Sequence, residues 1–395
     1  MRQHLALHNM YLETDIMLRY KRLLLILSAS VLPLYLSMFR YKIFGATLRA
    51  ADLVCAIVIF LTLLIFPKFY LKFLQFKYLP LWLLLAYILV QGIFLDNTMN
   101  SLKESIQLLW VCIYLGIASI YAQWDSKEFF KWMLIFLAIS ALFTVLVHFS
   151  QGQFIRYKLA ADGKYVFGLL SVLLLLRAEE HNSRRDYLFF VISLIPLVLS
   201  MERKGMVGVI FVAILVLIFR AIRARPILKG IPIFLGVLFI LFIPYLLNLV
   251  GDFINEKIYS NYFLDEGLAY FTSNIHRESL LINSYKIISD NFIFGVGADK
   301  ITEYMAVFYF DPRLINGAHN FYADTLVKYG VVGLSILFSW IALLTYSNRS
   351  TNLLSSNLIL FNLYCLFVVT FMADGQAVLI IFLVSFLNPY LFVKS

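Results

Sequence analysis

The chain has 395 residues, of which 62% are hydrophobic and 14% charged, with a mean hydropathy of +0.85. Soluble domains carry about 25% charged and about 45–50% apolar residues, so this composition excludes a soluble enzyme, a disordered chain and a secreted disulfide scaffold. The formal net charge of +10 would point to nucleic acid in a soluble protein; here the basic residues sit in short connections between apolar runs, where they set orientation and contact anionic membrane lipids, so no nucleic-acid partner is expected.

A helix needs roughly 20 residues to cross ~30 Å of hydrocarbon. Apolar runs near that length recur along the chain without the alternation of a membrane barrel. They predict an all-α polytopic membrane protein of about twelve spans. The runs lie near 23–39, 51–66, 79–95, 104–122, 132–148, 165–176, 187–201, 205–219, 230–250, 322–345, 352–372 and 377–393. The first follows a basic N-terminal stretch with no clear small-residue cleavage site, and reads as a retained span rather than a signal peptide. The sixth and seventh are short and are expected to be tilted, broken or partly re-entrant. With the N-terminus inside, one side collects just over half of the 33 basic residues, among them Arg22, Lys72, Lys131, Arg184 and Arg223. That bias places both termini in the cytoplasm. Cys55, Cys112 and Cys365 each lie within an apolar run without CxxC spacing, so they read as core residues, not as metal ligands or a disulfide.

The one large polar segment runs from Gly251 to Asn320. On this topology it faces outward, which in a bacterium is the periplasm. The predicted organisation is an N-terminal transmembrane region over 1–250 with about nine helices, a loop domain over 251–320, and a C-terminal transmembrane region over 321–395 with about three helices. Within the loop, Leu280, Leu281, Ser284, Tyr285 and Ile288 recur at helical spacing. They predict an amphipathic helix lying on the membrane face. No internal repeat is present.

The densest chemical signal closes the loop, where His319 and Asn320 precede the tenth apolar run. A helix N-terminus there disfavours a protonated imidazole, and a neutral imidazole can accept a proton from a hydroxyl. The plainer reading of His319 is a capping or interfacial residue. Gly330 and Gly333 follow, and by themselves signify close helix packing. Arg203 occupies a tight Met-Glu-Arg-Lys-Gly connection, and Arg277 follows His276 in the loop. Guanidinium pairs bidentately with phosphate oxygens at any working pH; for Arg203 the plainer reading is snorkelling to the interface. Gly295-Val296-Gly297 lacks the third glycine of a dinucleotide loop and reads as a turn. Asp265-Glu266 reads as an exposed loop pair, and Asp374 as a turn residue. Arg156, Lys158 and Lys164 form an outward basic cluster suited to steering an anion. The first outward loop, from Arg40 to Arg49, contains no carboxylate, so no acidic metal site is expected in it. No nucleophile elbow or zinc spacing occurs, and no cofactor is expected.

The stretch His319, Asn320, nine residues, Gly330, two residues, Gly333 resembles the His-Asn-x9-Gly-x-x-Gly signature of the O-antigen ligase family. Upstream, Arg277 and then Asp290-Asn291-Phe292-Ile293-Phe294-Gly295-Val296-Gly297 is similar to that family's Arg followed by a Pro-hydrophobe-x-Gly-x-Gly approach, with Asn291 or Phe292 where relatives often have Pro. Ser200-Met201-Glu202-Arg203 is similar to its Ser/Thr-x-x-Arg. The resemblance is best over roughly 195–375. It implies a GT-C-like, multi-pass inner-membrane glycosyltransferase with its active site facing the periplasm. The donor would be a glycan on undecaprenyl pyrophosphate. The acceptor would be a sugar hydroxyl of the lipid A core for a ligase, or another lipid-linked repeat for an O-antigen or capsule polymerase. The family is inverting and needs neither metal nor nucleotide. The resemblance puts the catalytic base on His319 and the essential arginines on Arg203 and Arg277, with Asn320 and Asp374 as further substrate-binding positions. A transporter or flippase is the competing class. It would call for ionisable residues within spans and repeat symmetry, whereas the polarity here is concentrated in one loop.

Overall fold

The computed structural model describes residues 18–34, 40–43, 46–65, 78–152, 163–200, 203–222, 279–298, 320–347 and 356–369, with isolated residues at 234–235, 238, 300–301 and 303–304. The described helices are α1 (18–34), α2 (Ala50–Ile65), α3 (Leu79–Phe94), α4 (Thr98–Trp124), α5 (Ser126–Ser150), α6 (Gly163–His181), α7 (Arg184–Leu199), α8 (Arg203–Ile222), α9 (279–290), α10 (Phe321–Ser347) and α11 (Ser356–Val369). Each expected span that falls on described residues coincides with one of them. The runs at 230–250 and 377–393 lie outside the described residues, apart from 234–235 and 238. The segment expected to be the first outward loop contains a hairpin: Arg40–Ile43 and Ala46–Arg49 pair antiparallel as β1 and β2, the only strands among the described residues. Among the described residues, three helices are long and apolar enough to cross a membrane, at Thr98–Trp124, Ser126–Ser150 and Phe321–Leu343. Shorter apolar helices occupy Ala50–Ile65, Leu79–Phe94, Gly205–Arg220 and Ile359–Val368.

The chain divides into two compact units. One comprises Met1–Leu74, Val111–Glu202 and Phe386–Ser395. Within it α5 starts where the Asp125 carboxylate accepts from the Glu128 N–H at 3.0 Å, an N-cap that satisfies an otherwise orphan donor. The buried face of α5 carries Phe129, Met133 and Leu137 in its first half and Ser140, Thr144 and His148 in its second, where Ile139, Leu142, Phe143 and Leu146 face outward. An outward face this apolar opposite buried polar groups suits lipid rather than water. The helices α6 and α7 are continuous rather than broken. Asn182, left-handed at φ 48°, turns the chain, and Ser183 caps α7 through the Asp186 N–H. The buried hydroxyls of Ser171 and Ser193 meet at 2.8 Å, and Arg177 pairs with Asp186 at 3.2 Å. The result is an antiparallel helical hairpin whose polar groups satisfy each other. Cys55 and Cys112, and Cys365 of the other unit, are all buried free thiols, as core residues should be.

The other unit comprises Gln75–Trp110 and Arg203–Ser385. Here α8 and α11 approach closely at Gly208, where a Cβ would meet the rings of Tyr364 and Phe367 at 2.9 Å. The amphipathic helix in the long loop is present as α9, but its inward face is rotated from expectation. Leu280, Asn283, Ser284, Ile287 and Ile288 are buried, and Tyr285 points outward. The apolar part of that face packs on Val296, Ile301 and Val327 of the protein. Leu280, Ser284 and Ile288 fall on the expected face; the difference is that Asn283 and Ile287 lie inside while the larger Tyr285 does not.

Within α10 the helix breaks at Gly330, which adopts φ 61° and ψ −170°. A break frees backbone groups that an apolar surrounding cannot hydrate. The N–H groups of Val331 and Val332 donate to the carbonyls of Phe292 and Ile293 at 2.8 and 3.3 Å. The carbonyls of Val327 and Lys328 accept from the N–H groups of Val296 and Gly297 at 2.8 and 2.9 Å. Residues 291–298 thus supply the hydrogen bonds that the helix gives up. A Cβ on Gly330 would collide with the Ile293 carbonyl, and one on Gly295 (φ 71°) would lie 2.5 Å from the Lys328 carbonyl. Gly330→Ala should therefore cost more than the ~1–3 kcal/mol of backbone strain alone. Gly152→Ala is the control, because Gly152 is also left-handed at φ 71° with nothing within 4 Å; it should cost about 1 kcal/mol. Thermal unfolding of the detergent-solubilised variants checks this, and equal shifts at the two positions would contradict it.

Candidate active site

The sequence fixes where α10 begins. Asn320 is the residue before its first turn, and its side-chain oxygen accepts from the N–H groups of Tyr322 and Ala323 at 3.0 and 3.1 Å. Its own carbonyl accepts from the Asp324 N–H at 2.8 Å. This is an N-cap, and it commits the amide oxygen of Asn320 to the helix. Only the amide NH2 is left to serve a ligand. His319 directly precedes this cap and lies outside the described residues, as do Arg277, Asp374, Arg156, Lys158 and the Asp265-Glu266 pair. Arg203 is the first residue of α8, and its side chain is outside the described set.

The signature spacing now has a local physical meaning. Asn320 caps α10, Gly330 breaks it, and Gly333 brings the helix against Tyr87 of α3, whose ring carbon would lie 3.3 Å from a Cβ there. The Gly295-Val296-Gly297 stretch is a turn, as expected, but one docked into the break rather than lying free on a surface.

Around the break lies a set of polar residues that the sequence reading passed over. The Gln91 amide nitrogen donates to the carbonyls of Phe294 and Lys328 at 2.5 and 2.8 Å. The Tyr87 hydroxyl lies 2.9 Å from the carbonyls of both Phe294 and Tyr329, and its one proton serves either of them. Asn97 donates to the Ala298 carbonyl. Lys328 Nζ meets Glu104 Oε1 at 2.6 Å, with the two side chains 8% and 18% exposed. Asp324 and Thr325, on the same half of α10, are also buried. Ionisable groups inside an apolar span are costly and mark sites with a specific task. A Gln and a Tyr in an apolar run, and a Lys nine residues after a His, were the available signals. Each is common alone, so only the fold joins them. Among the described residues no group of three or more His, Cys, Asp or Glu is placed to hold a metal ion.

Residues 188–338 match the family model described as O-Antigen ligase. This is the family that the His319 motif resembles, and the match covers less than half of the chain. The matched segment contains Arg203, Arg277, His319, Asn320, Gly330 and Gly333, but not Asp374. No curated protein matches the chain.

The two Gln91 hydrogen bonds should each contribute about 0.5–1.5 kcal/mol. Gln91→Leu is expected to destabilise the folded protein by about 1–3 kcal/mol, whereas Ile57→Ala, on an outward face of α2, should change stability little. Melting temperatures of the two purified variants measure the difference.

Proposed function

We propose that the protein is an O-antigen ligase of the bacterial inner membrane, crossing it about twelve times. The segment 251–320 would form a periplasmic domain between transmembrane regions over 1–250 and 321–395. It would transfer a glycan from undecaprenyl pyrophosphate to a sugar hydroxyl of the lipid A core. The observation that carries the reading is the His-Asn-x9-Gly-x-x-Gly motif inside the matched O-antigen ligase segment, with its Asn capping a helix that breaks at its first Gly.

The chemistry follows from the residue types. His319 sits beside the positive end of the α10 dipole, which favours the neutral imidazole. That imidazole removes the proton from the acceptor hydroxyl, and the oxygen attacks the anomeric carbon from the face opposite the pyrophosphate. The bond to the pyrophosphate oxygen breaks as the new glycosidic bond forms, inverting the centre. Arg203 and Arg277 neutralise charge that builds on the leaving group, usually the largest electrostatic contribution to such a reaction. Arg203 heads a helix, where the dipole favours an anion. In this reading Asn320 holds His319 in register with α10, and its amide NH2 meets the substrate. Asp374, outside the matched segment, is assigned a substrate contact on the weakest ground.

A general base typically contributes about 10²–10⁴-fold. His319→Ala should remain folded and inserted but lose glycan transfer by at least that factor, read as long-chain lipopolysaccharide in membranes. Arg203→Lys and Arg277→Lys should also be impaired, since Lys lacks the bidentate fork. Wild-type transfer by His319→Ala removes the base assignment. Cysteine placed at 203 should react with an impermeant thiol reagent from outside. A deletion strain separates the two members of the family: polymer left on the lipid carrier marks a ligase, and single repeats on the core mark a polymerase.

A further inference from the structure

We infer that Glu104 and Lys328 are a positioning pair for the catalytic end of α10, acting through the helix rather than on substrate. The inference rests on the assignment of His319 as base. The break at Gly330 uncouples the segment 321–329 from the rest of α10. Its direction is then set by whatever grips it. On the backbone it is gripped at its lower end by the 291–298 turn, Gln91 and Tyr87. The grip by side chain is Lys328 on Glu104, at 2.6 Å and nearly dry. Glu104 belongs to α4, so this contact ties the segment to a second helix, while Gln91 and Tyr87 tie it to α3 alone.

Two anchors on different helices fix both the height and the rotation of a rigid segment of two to three turns. At its other end the segment carries the Asn320 cap, and the residue before that is His319. A change in the direction of the segment therefore moves the Asn320 cap, to which His319 is joined directly in the chain. Lys328 lies more than two helical turns along the chain from Asn320 and is engaged by a carboxylate, so its part is read through the helix.

Transfer is assayed with purified protein in liposomes, and kcat is expressed per folded molecule, the folded fraction being taken from thermal unfolding. Glu104→Gln and the single reversals Glu104→Lys and Lys328→Glu should each lower kcat about 10–100-fold, the loss expected of a base misplaced by about 1 Å. KM for donor and acceptor should stay within about twofold, because the arginines that hold the pyrophosphate are untouched. The double reversal Glu104→Lys/Lys328→Glu rebuilds the contact with opposite polarity and should recover most of kcat. A pair that only stabilises the fold would reduce the folded fraction and leave kcat per folded molecule unchanged, and that result overturns the inference. Should the reversals fail to fold, the isosteric Glu104→Gln decides alone by its kcat against its KM. His319→Ala is run alongside. If it is inactive while Glu104→Gln has normal kcat, the pair has no positioning role and the base assignment stands. If His319→Ala is active, the base assignment falls and the inference falls with it.

Discussion

A break in an apolar helix leaves polar backbone groups with no water to bond to, and this constraint organises the described part of the second unit. Two N–H groups and three carbonyls around Gly330 require partners. An unmade hydrogen bond in such a place costs the full desolvation of the group. The chain meets the need with backbone of opposite polarity: residues 291–298 present carbonyls to Val331 and Val332, and N–H groups to Val327 and Lys328. The turn and the broken helix are therefore one structure. Neither would be stable without the other, and the two glycines that face each other across the contact are there because any Cβ would push them apart.

The same economy governs the side chains. Gln91 and Tyr87 are polar residues in an otherwise apolar helix; the Gln91 amide nitrogen and the Tyr87 hydroxyl are engaged by carbonyls at the break and in the turn, while Gln91 Oε1 is buried without a partner among the described residues. In the second half of α5 Ser140, Thr144 and His148 turn inward, and in α6 and α7 two serines meet at the buried seam. Where lipid replaces water, inter-helix recognition is carried by such hydrogen bonds and by small residues that permit close approach, because apolar contact offers no gain over lipid.

Much of the helix layout was legible in the sequence, because length and apolarity alone identify a span. The expected apolar runs that fall on described residues coincide with helices, three of them long and apolar enough to cross a membrane. The register of α9 was not legible: apolar periodicity picks Tyr285 over Asn283, yet burial follows the partner surface, which here offers Leu280 and Ile287 a common core with Val296 and Val327. The hairpin at Arg40–Arg49 was missed because two four-residue strands give no measurable alternation. At the candidate site, the motif residues Asn320, Gly330 and Gly333 were legible as a set. Their tasks were not, since a capping Asn and a helix-breaking Gly look alike in a list of polar and small residues. Glu104 and Lys328 were invisible for a different reason. They are separated by 224 positions, and only the folded chain brings their side chains together.

A broken span also suits the chemistry proposed for it. A continuous helix crossing the bilayer takes its direction from its whole length, so any tilt of the membrane-embedded part would move a residue at its outer end. With the break at Gly330, the outer segment answers to its contacts on α3, on α4 and on the 291–298 turn. General-base catalysis tolerates little misplacement, and a substrate tethered to the membrane cannot rotate freely to meet a wandering base. If His319 acts as proposed, the place for rigidity is the segment that leads to it, and the place for the break is that segment's far end. The nine residues between Asn320 and Gly330 satisfy both requirements, since they give a helical segment long enough to be gripped below and short enough to remain stiff.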